Sequence, residues 1–407
     1  MIAQSFEVII VGAGPVGLVT AHGLAKNGVS VLIIEKNSVD VPPQWRGSTI
    51  HPPTLEIFDE IGLANKIIEG GIRVDLLQYR DLEIDEVVNF KYSTLENKVK
   101  FPFRIQYEQY KVLKLLRDGA AHHPNIEIWY ETELLDLVQD FDQVHVRVAT
   151  KDGDKNLDTA FLVAADGSHS QVRKSLGIEL EGFTYPFPTT VVATPFNFEK
   201  YLPDLAPVTY WSGPTGRLSM IRTPDIWRIA MTTPLLEVDL ATSDRGTIES
   251  PTDDFKSAVT LLLKRIPGAT LADLELKQYE VYRSHQRVAR EFSKGRVALA
   301  GDAAHLTTTN GGMGLNSGVQ DAAALVKSLL TAIKTNSTSP IERYASERKQ
   351  FCEHFLQPTT TANHTSVDVP NIKERESRLA KLSAEAKSVE LELQNIAKAS
   401  MLTGLLK

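Results

Sequence analysis

Three glycines near the start of the chain have the spacing that phosphate binding requires. Gly12, Gly14 and Gly17 follow one apolar run and open a helical stretch, and a second apolar run ends at Glu35. In a βαβ unit the first glycine allows a tight turn, the second leaves space for a pyrophosphate, and the third lets the helix lie close to the sheet. The helix amino terminus then offers unpaired N–H groups to the phosphates. The pattern predicts a dinucleotide site, and the alternative is a glycine-rich turn without a ligand.

The acidic residue at the end of the second run narrows the choice of nucleotide. A carboxylate at Glu35 accepts hydrogen bonds from ribose hydroxyls and repels a 2′-phosphate, which argues against NADP as the resident nucleotide. We also assign Pro15, Val16 and Lys36 to the cofactor site.

Two aspartates later in the chain follow apolar runs of their own. Asp166 lies in LVAADGSHSQVRKSLG, and Asp302 lies in GRVALAGDAAHLTTTNGGMGLNSGVQDAAALV. Both are predicted at the carboxyl end of a strand, where doubly wound sheets bind ligands. The glycines Gly311, Gly312 and Gly314 open a helix and form a second cluster of amides suited to an anion. Two glycine-rich helix starts, each suited to an anion, fit a long ligand with phosphates at one end and an electron-rich ring at the other, such as FAD.

These three segments, in this order and spacing, resemble the GxGxxG, DG and GD motifs of the class A flavoprotein monooxygenases, the aromatic hydroxylases typified by para-hydroxybenzoate hydroxylase. The resemblance runs from the start of the chain to about residue 360. It implies that FAD lies with its adenosine half near Glu35, its ribityl chain at Asp302, and its pyrimidine edge against Leu315. The residues that we assign to the cofactor are Gly12, Gly14, Pro15, Val16, Gly17, Glu35, Lys36, Arg46, Gln106, Asp166, Asp302, Gly312, Gly314, Leu315 and Asn316.

Two of these assignments lie outside the motifs. Arg46 in QWRGSTIHPPTLEIF resembles the family's arginine near the pyrophosphate and ribityl chain, and Gln106 in RIQYEQYKVLKLL resembles its flavin-contacting glutamine. From the residues themselves, a surface arginine and a solvated helix start remain alternatives. The chain also departs from the family at 307–309, a run of three threonines where a proline commonly lines the reacting face of the flavin. The departure affects how the substrate is held there, and not the binding of flavin.

The resemblance also implies a reaction. NAD(P)H reduces the flavin, O2 adds to form the flavin C4a-hydroperoxide, and its distal oxygen hydroxylates an aromatic or polyketide-like small molecule. This chemistry requires no protein nucleophile and no metal, and the sequence shows neither a Ser/His/Asp constellation nor metal-ligand spacing. There is no second GxGxxG, so NAD(P)H has no separate domain of the usual kind. Alternatives are an FAD-dependent reductase or halogenase of the same fold, or a flavin-binding regulator without turnover.

The substrate-binding part of the protein is predicted in the middle of the chain. Between residues 189 and 231, short runs rich in β-branched and aromatic residues are separated by Pro and Gly, which is typical of an antiparallel sheet. By resemblance this sheet roofs the substrate, with Arg222 and Arg228 as catalytic candidates directed at substrate or flavin. Arginines on the solvated side of the sheet are the alternative. His51 is the histidine best placed to act as a general base on a phenol, and a loop histidine that bonds backbone groups is the alternative.

The expected fold is α/β, with a Rossmann-like FAD-binding domain of the GR2 type, an inserted antiparallel β-sheet substrate domain and a C-terminal helical segment. The FAD-binding domain is expected over 1–180 and again over 286–360, the substrate domain over 181–285 and the helical tail over 361–407. In the tail, apolar residues from Leu379 to Ile396 recur every three or four positions. This spacing predicts a helix that packs back on the catalytic domain, with a dimerisation helix as the alternative.

Composition excludes several classes of protein. The net charge of −7 without a basic block argues against a nucleic-acid partner, and no apolar run is long enough for stable membrane insertion. The first apolar run has no basic region before it and is not expected to be a signal peptide. The single Cys352 fits a reducing compartment. We therefore expect a cytoplasmic monomer or homodimer whose partners are an aromatic small molecule and O2.

Overall fold

The computed structural model describes residues 5–40, 47–232, 245–247, 253–365 and 371–405. The strands, in chain order, are β1 (Ser5–Val11), β2 (Val31–Ile34), β3 (Thr49–Ile50), β4 (Ile72–Val74), β5 (Leu76–Asp81), β6 (Val87–Lys91), β7 (Arg104–Gln106), β8 (Ile126–Trp129), β9 (Glu133–Gln139), β10 (Val144–Thr150), β11 (Gly153–Ala164), β12 (Leu180–Thr184), β13 (Thr189–Thr194), β14 (Val208–Gly213), β15 (Gly216–Arg222), β16 (Trp227–Thr232), β17 (Arg245–Thr247), β18 (Lys277–Tyr282), β19 (His285–Ala289), β20 (Ser293–Lys294), β21 (Val297–Leu299) and β22 (His305–Leu306). The helices are α1 (Pro15–Ala25), α2 (Pro52–Glu60), α3 (Ala64–Gly70), α4 (Gln109–Ala121), α5 (Gln171–Ser175), α6 (Asp253–Leu263), α7 (Met313–Thr335), α8 (Ser339–Phe351), α9 (Gln357–Thr365), α10 (Ile372–Lys387) and α11 (Val389–Ala399). A π-helical turn, Cys352–Leu356, joins α8 to α9.

The first sheet is the predicted nucleotide-binding sheet. Its central strands are parallel and run in the order β21-β11-β1-β2-β8, with β20 antiparallel at one edge and the β9–β10 pair extending from β11. The side chains of β2 are all buried, as expected of a parallel strand covered on both faces. Helix α1 packs against α7, and a Cβ on Gly23 would lie 2.8 Å from a methyl group of Val326. The small residue lets these two helices lie close together beside the sheet.

The second sheet contains the strands predicted between residues 189 and 231. Its order is β17-β18-β13-β16-β15-β14-β5-β6, and its pairs are antiparallel except for β14 with β5. One face packs on α6, where Leu218, Met220 and Ile229 join the apolar side of the helix. The β5–β6 hairpin comes from residues 76–91, which the expected division had assigned to the FAD-binding part. The second sheet is therefore assembled from two separate stretches of chain.

The tail packs on the protein, but as two helices and not as one. Helix α10 ends at Lys387 and α11 begins at Val389, with the hydroxyl of Ser388 accepting a hydrogen bond from the amide of Leu391. Leu379 and Ile396 are buried against β5, β6 and the residues that follow them. Val389, one of the apolar residues in this regular spacing, is 81% exposed. The prediction of a single helix from Leu379 to Ile396 is thus wrong, because the chain turns at Ser388.

A buried ion pair attaches the tail to the second sheet. The Nε of Arg375 in α10 donates to the Asp81 carboxylate at 2.9 Å, and the same guanidinium reaches Glu83. The side chains of Arg375 and Asp81 are 1% and 0% exposed.

No helix among the described residues is both long and apolar enough to cross a membrane.

We expect Arg375→Met to lower the free energy of unfolding by about 3–5 kcal/mol, because Asp81 would be left charged and buried. Urea titration followed by circular dichroism measures the change. Arg147→Met is the matched control, since Arg147 pairs with Asp154 on the surface with both side chains about half exposed. That control is expected to change the unfolding free energy by at most about 1 kcal/mol. Equal losses in the two variants would contradict the role of the buried pair.

Candidate active site

The first glycine motif has the geometry that its spacing predicts. Gly12 has φ +109°, and a Cβ there would lie 2.4 Å from the carbonyl oxygen of Ala165. A Cβ on Gly17 would lie 2.0 Å from the carbonyl oxygen of Gly12, so only glycine permits this approach of α1 to the turn. A Cβ on Gly14 would meet no atom within 4 Å. Gly14 instead faces a cavity, together with Pro15 and Val16.

Glu35 lies beside this turn, at the end of β2. One carboxylate oxygen accepts a hydrogen bond from the amide of Ala13 at 2.9 Å. The other accepts from the backbone amide and side chain of Asn37 at 2.9 and 2.6 Å. The adjacent Lys36 is exposed. The carboxylate therefore fixes the glycine turn from the side, and its contact with a ribose stays a prediction.

The Asp166 carboxylate caps a helix. Its Oδ2 accepts hydrogen bonds from the amides of Gln171 and Val172 at the start of α5, at 2.7 and 3.2 Å. Burial raises the pKa of Asp166. The cavity wall next to it is formed by Ala165 and Gly167. The structure therefore places the turn, and not the Asp166 side chain, on the cavity.

The turn that carries Asp302 is exposed to the same cavity. Asp302 lines it directly after β21, while the neighbouring Gly301 has φ +59°. A Cβ on Gly301 would lie 2.8 Å from a methyl group of Val16, so the two cofactor motifs touch at this point. Arg173 links the DG motif to the GD motif. Its guanidinium donates to the carbonyl oxygen of Ala303 at 3.1 Å and to that of Ser168 at 3.2 Å.

A buried carboxylate that sequence reasoning missed anchors the same turn. Asp321 in α7 accepts hydrogen bonds from the amide of Gly301 at 3.0 Å, from His305 Nε2 at 2.7 Å and from Arg348 Nε at 2.6 Å. Burial opposes ionisation of Asp321, but the charges of Arg348 and His305 outweigh it and lower the pKa to about 2. The only feature of the sequence that could have indicated this anchor is that Asp321 is an acidic residue within the largely apolar first half of a long helix.

The loop before α7 is shaped by positive backbone dihedral angles. Gly311 and Gly312 have φ +99° and +66°, and α7 begins at Met313. A Cβ on Gly314 would meet no atom within 4 Å, and Gly312, Gly314 and Leu315 line the cavity. The amino terminus of α7 thus opens onto the same space as that of α1.

Asn316 and Gln106 support this wall from behind. The Asn316 amide donates to the carbonyl oxygens of Thr49 and Gly312 at 2.8 and 2.6 Å, and its oxygen accepts from the amide of His51 at 2.8 Å. Gln106 accepts from the hydroxyls of Ser48 and Thr49 at 3.2 and 3.0 Å. Both side chains are fully buried. Ser48 and Thr49 line the cavity in their place.

His51 does not reach the cavity. Its Nε2 lies 3.1 Å from the carbonyl oxygen of Gly311, so His51 bonds a backbone group. Burial, and then the charge of Arg104, hold the pKa of His51 well below its usual range. A histidine that binds a proton so weakly is a poor general base for a phenol. The position of His51 therefore favours a structural role.

The cavity has a volume of about 450 Å³ and lies between the two sheets. The first sheet contributes the glycine turns and Asp302, and the second contributes residues of β13, β14, β15, β16 and β18. Thr307, Thr308 and Thr309 line it where the family commonly has a proline. Of these, Thr309 hydrogen-bonds the hydroxyl of Tyr282 at 2.7 Å.

Helix α9 packs behind the threonines. The Gln286 side chain accepts from the amide of Thr308 at 3.2 Å and donates to the hydroxyl of Thr360 at 2.8 Å. His364 Nδ1 accepts from the side-chain amide of Asn310 at 3.0 Å. The position of this part of the wall is therefore set by Gln286 of β19 together with side chains of α9.

Arg222 and Arg228, the two catalytic candidates of the second sheet, lie on opposite faces of the sheet, because side chains alternate along a strand. Arg228 lines the cavity, and its buried Nε has no hydrogen-bond partner within the described ranges. Arg222 points to the opposite face, where its Nε donates to Glu199 at 3.1 Å. The prediction that Arg222 faces substrate or flavin is wrong, since alternate residues of β15 face the cavity: Arg217, Ser219 and Ile221. Arg217 is thus a cavity residue that sequence reasoning missed. Arg46 lies outside the described residues.

The ionised state of Asp321 gives a pH-dependent prediction. Its pKa is depressed in the folded state, so its contribution to stability is present above about pH 4 and is lost as pH falls towards 2. Asp321→Asn removes this contribution at every pH. We expect the difference in unfolding free energy between parent and variant to shrink by about 2 kcal/mol over that interval. Urea titrations at a series of pH values measure it, and a difference independent of pH would contradict the assignment.

Comparison with known proteins agrees with this geometry. Residues 5–359 match the family model described as "FAD binding domain". Para-nitrophenol 4-monooxygenase of Pseudomonas sp. (strain WBC-3) is 31% identical over 366 residues, which are 88% of this chain and 86% of that protein. The 6-hydroxy-3-succinoylpyridine 3-monooxygenase of Pseudomonas putida is 29% identical over 88% of both chains.

Solved structures show the same fold. The crystal structure of p-nitrophenol 4-monooxygenase from Pseudomonas putida DLL-E4 has a TM-score of 0.85 and 27% identity, covering 98% of this chain and 99% of that one. A ternary complex of aklavinone-11 hydroxylase with FAD and aklavinone has a TM-score of 0.72 and 25% identity, covering 90% and 70%. The predicted fold class and family are confirmed: the chain belongs to the FAD binding domain family and, within it, to the class A flavoprotein monooxygenases.

Proposed function

We propose that this protein is an FAD-dependent monooxygenase that hydroxylates an aromatic small molecule, with NAD(P)H and O2 as cosubstrates. The observation that carries the proposal is the single cavity on which both helix amino termini, Asp302 and one face of the second sheet converge. A cofactor that stores electrons and a substrate that receives oxygen must meet in one place, and this cavity brings their two expected binding surfaces together.

The residues present fit FAD. Gly14 and Gly314 stand at the starts of α1 and α7, and each leaves open the space that a Cβ would fill. Unpaired amides at a helix start attract negative charge, so α1 suits the pyrophosphate. When bound, FAD would supply the storage of two electrons from NAD(P)H and the reaction with oxygen. Asp302, exposed on the cavity, is the acceptor suited to hydroxyls of the ribityl chain.

The chain itself would stabilise charge and exclude water. The amides at the start of α7 face the cavity and would stabilise negative charge on the pyrimidine ring of a reduced flavin. The face of the second sheet covers the cavity opposite these amides. Thr307 and Thr309 bring hydroxyl groups to the same wall, where they can orient a polar substituent of the substrate by hydrogen bonding.

The class of substrate follows from the relatives' names and from the cavity. The relatives named above act, by their names, on para-nitrophenol and on a hydroxylated pyridine, and the aklavinone-11 hydroxylase structure contains aklavinone. We propose that an electron-rich aromatic ring with a hydroxyl or similar substituent is the substrate here.

The remaining proposals concern the cellular compartment, the oligomeric state and the domain division of the enzyme. We propose a cytoplasmic monomer or homodimer, which the buried free thiol of Cys352 and the need for NAD(P)H support. The chain division into 1–180, 181–285, 286–360 and 361–407 is also proposed, with 76–91 contributing to the second sheet.

The reaction is tested with purified protein reconstituted with FAD. We expect a yellow protein that consumes O2 with NADH or NADPH, faster when phenols are added, and that releases a product heavier by one oxygen atom. Oxygen electrode traces and mass spectrometry with ¹⁸O2 measure both. Reduction of the added compound without oxygen incorporation would indicate a reductase, and retention of FAD without turnover across a broad phenol panel would favour a flavin-binding regulator.

Asp302→Ala tests the assignment of the cofactor. Loss of a hydrogen bond to a carboxylate costs roughly 1.5–3 kcal/mol, so we expect FAD to bind about ten- to a hundredfold more weakly. Equilibrium titration of apoprotein with FAD, followed by flavin fluorescence, measures the affinity. Asp142→Ala is the control, because Asp142 is an exposed aspartate between β9 and β10. Equal FAD affinity in the two variants would remove Asp302 from the site.

A further inference from the structure

The loop that precedes α7 contains an asparagine followed by a glycine. The sequence has two such pairs, Asn27-Gly28 and Asn310-Gly311. In a pair of this kind the backbone nitrogen of the glycine can attack the side-chain amide carbon of the asparagine, because glycine has no side chain to hinder the approach. The attack closes a cyclic imide, and its rate depends on how the fold positions the reacting atoms.

The second pair lies in a loop on the wall of the cavity. Asn310 and Gly311 both line the cavity, and neither belongs to a helix or a strand. The backbone nitrogen of Gly311 donates no hydrogen bond within the described part of the chain, whereas that of Gly312 donates to the carbonyl oxygen of Thr309 at 3.1 Å. The nitrogen that would attack is therefore not engaged by a competing acceptor.

His364 of α9 contacts the group that would leave. Its Nδ1 accepts a hydrogen bond from the side-chain amide nitrogen of Asn310 at 3.0 Å. The imidazole packs against the ring of Tyr185 with the ring centres 3.8 Å apart, which keeps it beside the amide. Imidazole takes up and releases protons near neutral pH. His364 is therefore placed to deliver a proton to the leaving nitrogen.

The neighbouring Asn363 contacts the peptide group between the two reacting residues. Its side-chain amide nitrogen donates to the carbonyl oxygen of Asn310 at 3.4 Å. When the nitrogen of Gly311 gives up its proton, negative charge is shared with this oxygen, and a donor directed at developing charge stabilises it. Two adjacent residues of α9 thus contact the leaving group and the peptide that supplies the nucleophile.

The first pair lacks this arrangement. Asn27 and Gly28 follow α1 and are both exposed. The amide of Gly28 donates to the carbonyl oxygen of Ala25 at 2.9 Å, and the side chain of Asn27 donates to that of Gly23 at 2.8 Å. The end of the helix therefore holds both reacting groups in other hydrogen bonds. Exposure alone would make Asn27 the more reactive of the two asparagines, and the contacts predict the opposite.

We propose that Asn310 is a site of spontaneous deamidation that His364 and Asn363 assist. The Gly311 nitrogen forms a bond to the side-chain carbon of Asn310 and loses its proton. The bond from that carbon to the amide nitrogen breaks, and ammonia leaves with a proton delivered through His364. Water then opens the imide, giving aspartate when the side-chain carbonyl is released from the nitrogen and isoaspartate when the main-chain carbonyl is released. No group is oxidised or reduced, and water is the co-reactant.

The reaction would change the wall of the cavity. A carboxylate at position 310 cannot donate the hydrogen bond that Asn310 gives to His364. It also adds negative charge to a cavity that Asp302 already lines, and isoaspartate adds a methylene group to the main chain of the loop. The inference goes beyond the proposed function and does not depend on it, because the reaction involves atoms of the chain and water alone.

The test follows both pairs in the same molecule. Purified protein, as isolated, is incubated at neutral pH, and samples taken over several weeks are digested and analysed by tandem mass spectrometry. The mass change from amide to acid, and labelling by a protein-isoaspartate methyltransferase, measure conversion at each asparagine. A sample taken at the start corrects for conversion during digestion. We expect Asn310 to convert at least tenfold faster than Asn27, and a rate at Asn310 no higher than that at Asn27 would overturn the proposal.

Unfolded protein is the control for the local sequence. In concentrated urea the contacts of both pairs are lost, so Asn27 and Asn310 are expected to convert at rates within threefold of each other. A tenfold difference that persists in urea would assign the effect to neighbouring residues in the chain, and it would overturn the role of the fold.

Two variants test the assisting residues. His364→Gln keeps a polar side chain but removes the proton carrier, and Asn363→Ala removes the donor to the Asn310 carbonyl oxygen. Each is expected to slow conversion of Asn310 at least threefold and to leave the rate at Asn27 unchanged.

His354→Gln is the matched control, because His354 is an exposed histidine of the π-helical turn before α9. It is expected to convert Asn310 at the rate of the parent protein. An unchanged or faster rate at Asn310 in both His364→Gln and Asn363→Ala would overturn the assistance by α9. Circular dichroism verifies that each variant is folded.

Discussion

The buried carboxylate of Asp321 is the interaction on which the geometry of the site depends. It connects the turn after β21, the following His305 and the α8 residue Arg348 to one position in α7. Two surfaces of the cavity, the Asp302 turn and the loop that precedes α7, are thereby fixed relative to one another. A charge of this kind is stable inside a protein only when its partners remain in place, so the network resists any separation of the turn from the helix.

Contacts between the glycine motifs complete this arrangement. Gly17 lets α1 approach the turn after β1, and Gly301 brings the second turn against Val16. The two helix starts consequently open onto one space, although the residues that form them are nearly 300 positions apart in the chain. Glycine at these positions reflects sterics as much as ligand binding, because the space beside Gly12, Gly17 and Gly301 is occupied by the protein itself.

The sequence was sufficient to predict the residues whose role is local. The tight turn at Gly12, the open approach at Gly14 and the strands from β13 to β16 follow from spacing and from the alternation of residue types. Spacing and alternation do not show which face of a strand turns inward, because that depends on where α6 packs. For this reason Arg217, and not Arg222, lines the cavity. The burial of His51 behind Gly311 and the parallel pairing of β5 with β14 likewise arise from contacts between distant segments. The break at Ser388 escaped a prediction based on apolar spacing because that spacing continues across it.

The π-helical turn between α8 and α9 has a consequence for how this wall of the cavity tolerates insertions and deletions. A π turn accommodates one residue more than an α turn, and one residue rotates a helix by about 100°. Deleting a single residue within Cys352–Leu356 would therefore swing Thr360 away from Gln286 and His364 away from Asn310. In this part of the chain, a change in length would alter the shape of the cavity without altering any residue that lines it.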